Sequence, residues 1–190
     1  MSYVKLNHDF AKFIDTAFYA EIIQKDDDAV SVLRLQLLCE RFLNVYLEER
    51  IPTDQRDFFV SGRGKKAELL KYFNEKIRTA VALGLPVELA KSLKHLNGMR
   101  NEFAHSFDAK LEQKEVEQYF ELVDKFVVKT DQAHGFEGPV SQAEAVSDGK
   151  QVKANESPKI GLTIATYFLM TKAGLWLVND LQKRGQLKIG

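Results

Sequence analysis

The sequence predicts an all-α protein, an antiparallel helical bundle of about five core helices with a C-terminal helix after a long loop. Three observations carry this. Apolar residues recur three and four positions apart through nearly the whole chain, the spacing that gathers them on one face of a helix. The breaks between most of these runs are short and hold Gly or Pro, as connections between antiparallel neighbours do. No run alternates with the two-residue period of a strand, and no internal repeat stands out.

The elements follow in order. In "NHDFAKFIDTAFYAEIIQK", Phe10, Phe13, Ile14, Ala17 and Phe18 share helical spacing, with Asn7 as the expected N-cap. The next run, "DDDAVSVLRLQLLCERFLNVYLEERIP", opens on acids that suit a helix N-terminus. Its wide apolar set, Val30, Leu33, Leu37, Leu38, Phe42, Val45 and Tyr46, predicts a central and largely surrounded helix. Pro52 ends it. Residues 53 to 64 form a connection with Gly62 and Gly64. "KKAELLKYFNEKIRTAVALG" then places Leu69, Leu70, Phe73, Ile77, Ala80 and Val81 on one side, closed by Gly84. Pro86 opens a helix in which Leu89, Leu93, Leu96 and Phe103 are in phase. After a turn over 106–109, "LEQKEVEQYFELVDKFVVKT" aligns Val116, Phe120, Val123 and Val127.

From 131 to 157 the chain turns rich in Gln, Ser, Gly, Asp and Lys with no period, which predicts a long loop or flexible linker. "PKIGLTIATYFLMTKAGLWLVNDLQKRG" is then a last helix, apolar on nearly all sides and ended by Gly185. It must be covered, either by the first five helices or by a second copy. The expected organisation is a bundle over 1–130, a linker over 131–157 and a hydrophobic helix within 158–190.

The totals narrow the function classes. Lys+Arg and Asp+Glu both number 27, so the chain is no strongly basic nucleic-acid binder overall. Residues 61 to 100 nevertheless carry nine Lys/Arg against three Asp/Glu, enough for a local basic patch. Arg63, Lys65, Lys66, Lys94 and His95 are its candidate contacts to a nucleic-acid backbone; a solvated helix face is the plainer reading. The single cysteine, Cys39, permits no intrachain disulfide and suits a reducing compartment. No signal peptide is evident. The apolar stretch over 160–178 is interrupted by Lys172, Thr and Gly, which makes it a poor membrane span. A cytoplasmic protein with no membrane partner is expected.

Most familiar chemistries find no footing. "GRGKKAE" lacks the glycine spacing, the Ser/Thr and the preceding strand of a phosphate-binding loop. The four histidines, His8, His95, His105 and His134, never pair four apart, and one cysteine excludes zinc-ribbon arrangements, so neither a metal nor a cofactor is expected. Cys39, inside an apolar run, reads as an inert thiol.

"RNEFAH", residues 100–105, is the strongest constellation. At about 100° per residue, Asn101 and His105 are neighbours on one helix face, with Arg100 about 140° from His105. An arginine holds phosphate through a charge-assisted fork. A histidine titrating near neutrality serves as general base or acid. Together these are components for metal-free RNA cleavage: His105 takes the proton of a ribose 2′-OH, the oxygen attacks the adjacent phosphate, and Arg100 stabilises the developing charge while Asn101 orients the histidine or the phosphate. A structural alternative stands beside this one. His105 can cap a helix C-terminus, and Arg100 can pair with Glu115 or Glu117.

At these residues the chain resembles the mannitol operon repressor (MltR-like) family over roughly residues 30 to 130. The likeness rests on Arg78, Ala80, Leu83, Gly84 and Leu85, then Arg100, Asn101, Phe103, Ala104 and His105. The loop followed by a hydrophobic last helix also suits that family. More broadly, Arg-Asn, three residues, His is similar to the signature of the HEPN superfamily. That resemblance implies a small helical homodimer in which two copies of the motif face each other, and a metal-independent RNase of a toxin–antitoxin or phage-defence type. The MltR likeness implies instead a non-enzymatic transcriptional regulator acting through DNA or protein binding, although no helix-turn-helix is evident. A toxin or antitoxin component held by a protein partner is a third implication. A two-fold pairing would also let the histidine of one copy meet the arginine of the other, which one helix alone does not readily do.

Overall fold

The computed structural model describes residues 12–25, 27–61, 68–106, 108–128, 138–147 and 149–186. The all-α expectation holds: among the described residues six α-helices of ten residues or more form a bundle, with two short hairpins at its margins.

The first predicted helix is interrupted: Lys12 is helical, residues 13–15 form a turn in which the Asp15 carboxylate accepts from the Ala17 N–H at 3.0 Å, and α1, the first helix described in full, runs over Thr16–Lys25. Tyr19, Ile22 and Ile23 are its buried residues, whereas Ile14 lies outside the core. The expected cap Asn7, and Phe10, lie outside the described residues.

Helix α2, Asp28–Arg50, is the central element and packs on α1 and on three later helices. Asp27 caps it, its Oδ1 accepting from the Val30 N–H at 2.8 Å. Val32, Leu35, Leu38, Cys39, Phe42, Leu43, Tyr46 and Leu47 are buried. Three members of the expected core set are not: Val30, Leu33 and Leu37 are 41, 42 and 52% exposed. Turning 100° per residue, these three occupy the arc of α2 that its neighbours leave open.

A 3₁₀ turn, Thr53–Phe58, leads into the hairpin β1 (Val60–Ser61) and β2 (Glu68–Leu69), paired Val60 with Leu69 and Ser61 with Glu68. The helix expected from residue 65 therefore starts only at α3, Phe73–Ala82. Leu70, at φ 59°, turns the chain out of the strand and breaks the helical run. Phe73, Ile77 and Ala80 face the core. Gly84, at φ 101°, takes the left-handed conformation that ends α3 cheaply for glycine alone.

Helix α4, Val87–His105, buries Leu89, Leu93, Leu96 and Met99. It runs opposite to α2. The Tyr46 hydroxyl near the end of α2 donates to Leu83 O just ahead of α4 at 2.9 Å, while Phe103 and Ser106 share a cleft with Asp27, Asp28 and Ala29 at the start of α2. Two polar links join α2, α3 and α4: Lys76 Nζ to Glu40 Oε1 at 2.6 Å, and Asn97 Nδ2 to Asn74 Oδ1 at 3.5 Å. Helix α5, Gln113–Lys125, buries Val116, Tyr119, Phe120 and Val123. It is shorter than its apolar spacing, and Val127 is exposed beyond its end.

The expected linker is partly built. Both carboxylate oxygens of Asp124 accept from the Val140 N–H, which seats a short 3₁₀ turn over Val140–Gln142. A hairpin follows, β3 (Glu144–Ser147) with β4 (Lys150–Lys153), whose weakly apolar strands gave no sequence period. Ala154 N–H then bonds back to Ala143 O at 2.9 Å. Residues 131–137 and 148 of the expected linker lie outside the described residues.

This crossover decides the direction of α6, Pro158–Lys183. Tyr119 meets Thr166 and Lys172 Nζ reaches Val123 O, while Arg50 meets Asp180, so α6 runs parallel to α5 and α2 rather than antiparallel. The short connections on either side of α4 reverse the chain, whereas the long ones over 51–72 and 126–157 do not: α3 also runs parallel to α2, Glu40 meeting Lys76 and Tyr46 meeting Leu83. Among the described residues α6 is the one helix long and apolar enough to cross a membrane, yet 78% of its apolar stretch is buried in the bundle. It docks on α1, α2 and α5 of its own chain, with Gly161 letting it approach Ala154, Phe120 and Val116 closely. Gly185, at φ 67°, ends it.

Candidate functional site

The motif residues occupy the last turns of α4. His105 is exposed and Arg100 and Asn101 are half-buried. Arg100 Nη1 donates to Asn101 Oδ1 at 3.3 Å. The Asn101 amide oxygen, expected to orient the histidine or the phosphate, is engaged by the guanidinium instead. Arg100 takes up the alternative pairing with neither Glu115 nor Glu117, and the Glu115 carboxyl lies near that of Glu102. On one helix the turn of about 140° between Arg100 and His105 keeps them from aiming at one point, so a single chain presents the two groups side by side rather than converged.

Two hollows flank this end of α4. One, of about 520 Å³, lies toward α2 and is lined by Asp27, Asp28, Ala29, Phe103, Ser106 and Ala109. It adjoins the exposed stripe of Val30, Leu33 and Leu37. The other, of about 430 Å³, is an open groove between α4 and α5, with Lys91 and Lys94 at one end and Glu102 and Glu115 at the other. Burial, then the adjacent Glu102 carboxyl, raises the Glu115 pKa, and His95 opposes the rise. The neutral or charged ring of His95 is fixed by donation from Nε2 to Glu115 O at 2.9 Å, and it lies parallel to Tyr119 with centroids 6.0 Å apart.

The expected basic patch divides. Lys94 is exposed on the same face of α4 as Asn101 and His105. His95 is half-buried and engaged with α5. Arg63, Lys65 and Lys66 lie outside the described residues. Among the described residues no three His, Cys, Asp or Glu side chains are placed to share a metal ion. Cys39 is fully buried and its thiol pKa is pushed up by that burial, the state of an unreactive core cysteine.

Neither a family model, nor a curated protein, nor a solved structure matches the chain. The site must therefore be read from its own geometry. Three features beside the motif escaped the sequence reading: the open stripe on α2, the Glu102–Glu115 pair and Gly98. The stripe shares its spacing with core positions, and the carboxyl pair joins two helices. Gly98 did carry a signal, a glycine in the middle of an otherwise regular helix.

Proposed function

We propose that this protein is a HEPN-like helical homodimer that binds RNA and cleaves it without a metal ion. The observation that carries the reading is the open end of α4. There an exposed imidazole, His105, and a guanidinium tied to Asn101 lie beside an exposed apolar stripe on α2. Exposed apolar side chains aligned on one helix mark an interaction surface, and a second copy seated there is the partner of choice. A two-fold axis beside Val30 and Leu33 sets one copy's His105 toward the other's Arg100, supplying the convergence that one helix lacks. His105 then removes the 2′-OH proton, Arg100 stabilises charge on the attacked phosphate and Asn101 orients Arg100. A single buried cysteine favours a reducing cytoplasm as the site of action.

A non-enzymatic regulator that binds DNA or another protein is the second reading, favoured by the Arg100–Asn101 bond, which suits a motif that braces an interface. Purified protein incubated with RNA in EDTA separates the two. The nuclease reading expects cleavage by wild type and none by His105→Ala of equal melting temperature. Cleavage that persists in His105→Ala, or none by wild type, removes it.

A further inference from the structure

Gly98 sits in the middle of α4 on an exposed position, and a Cβ built there meets nothing within 4 Å. Alanine would fit and would strengthen the helix. No described residue crowds this position, so the glycine leaves the α4 backbone open to a molecule that approaches from outside. Gly98 lines the groove between α4 and α5, with Lys91 and Lys94 on one side, Glu102 and Glu115 on the other and Met99 among the apolar surfaces between. Such a groove matches a ligand with an anionic end, a flat apolar body and a hydrogen-bond-donating edge. A nucleotide has all three. Its phosphate suits the two ammonium groups, its ring suits the apolar surfaces exposed by a missing side chain, and its amino edge suits carboxylate acceptors.

We propose that the α4–α5 groove is a nucleobase subsite that selects guanine in single-stranded RNA. This rests on the nuclease reading of the neighbouring motif and names its substrate preference. Guanine is singled out because its Watson–Crick edge offers two adjacent donors, N1–H and the 2-amino group, to a single carboxylate. Adenine and cytosine offer an amino group alone, and uracil one ring N–H. Gly98 and His105 lie on the same exposed face, seven residues or about 10 Å apart along the axis. That is about three stacked nucleotides at roughly 3.4 Å each, so the groove would read a base upstream or downstream of the cleaved bond rather than at it.

The test uses the full chain carrying His105→Ala, so that bound RNA is not consumed, with fluorescent oligonucleotides in EDTA. The probes are a short uridine tract and the same tract with one central guanosine. The guanosine probe is expected to bind about tenfold more tightly, the discrimination of one good bidentate pair. Adding Gly98→Ala should raise the melting temperature and reduce that preference, while Gly98→Leu or Glu115→Gln should abolish it. Equal binding of the two probes overturns the proposal, as does a preference that survives Gly98→Leu in a folded protein. Loss of dimer on Gly98→Leu with RNA preference intact also overturns it, assigning the groove to a protein contact. Guanine-selective binding by a wild-type protein that cleaves nothing would end the nuclease reading alone. Cleavage without base preference would end the groove proposal alone.

Discussion

Replacing Gly161 by alanine should destabilise the protein although alanine is the better helix former. The added Cβ would lie 2.4 Å from Ala154 O, 2.8 Å from Phe120 Cζ and 3.2 Å from Val116 Cγ1. The first of these is about 1 Å inside the roughly 3.5 Å at which non-bonded heavy atoms rest. Ala154 O is backbone, held by the Ala154 N–H bond to Ala143 O, and cannot swing aside as a side-chain tip can. Overpacking of this kind costs up to about 3 kcal/mol, and the helix propensity of alanine returns about 1 kcal/mol. A net loss of about 2 kcal/mol lowers the melting temperature by roughly 4–8 °C for a chain of this size. Trp176, the one tryptophan, lies on α6 against Tyr46 and reports undocking by its fluorescence during thermal or urea unfolding. Gly98→Ala is the paired control, with no neighbour to displace, and should gain about 0.5–1 kcal/mol. A Gly161→Ala protein as stable as wild type would mean that α6 does not dock on α5 and the 154–156 turn as described.

Other expectations follow from buried polar groups. Lys76 is 2% exposed and ion-paired with Glu40, so Lys76→Met should cost about 3 kcal/mol in urea unfolding by stranding the carboxylate, and adding Glu40→Leu should recover much of it. Burial holds the Lys172 pKa below its ordinary 10.5, with Asp124 opposing the shift. The unfolded chain therefore binds more protons than the folded one between the lowered value and 10.5, and stability from this group rises with pH across that window. Lys172→Met should flatten the rise, read as urea midpoints across the alkaline range; an identical slope contradicts the burial. Cys39 should resist a maleimide in the native protein and react once unfolded, and labelling at full rate in the folded state would contradict its packing.

The fold was legible because helical spacing survives in most segments: Leu89, Leu93 and Leu96 are all fully buried, and Gly84 and Gly185 end helices in the left-handed conformation. Boundaries were less so. The run from Lys65 to Gly84 looks uniformly helical, yet Leu70 turns the chain and frees residues 68–69 to pair as a strand. Short hairpins such as Glu144–Lys153 have too few apolar residues to show a period. Burial direction was ambiguous for α2, since Val30, Leu33 and Leu37 are as regularly spaced as the core residues beside them. Only the positions of the surrounding helices decide which arc is covered. The motif at 100–105 was visible in the sequence, but the groove beside it was not. Glu102 and Glu115 meet only because α4 and α5 pack together.

Mixing two inactive variants tests the central claim most directly. If each active site joins the Arg100 of one copy to the His105 of the other, Arg100→Ala and His105→Ala proteins should each fail to cleave RNA. Unfolded together and refolded, they should regain about a quarter of wild-type activity, because half of the random dimers are mixed and each mixed dimer has one intact site of two. Mixtures as inactive as their parents, at unchanged melting temperature and with dimers formed, would contradict a site shared across a two-fold axis.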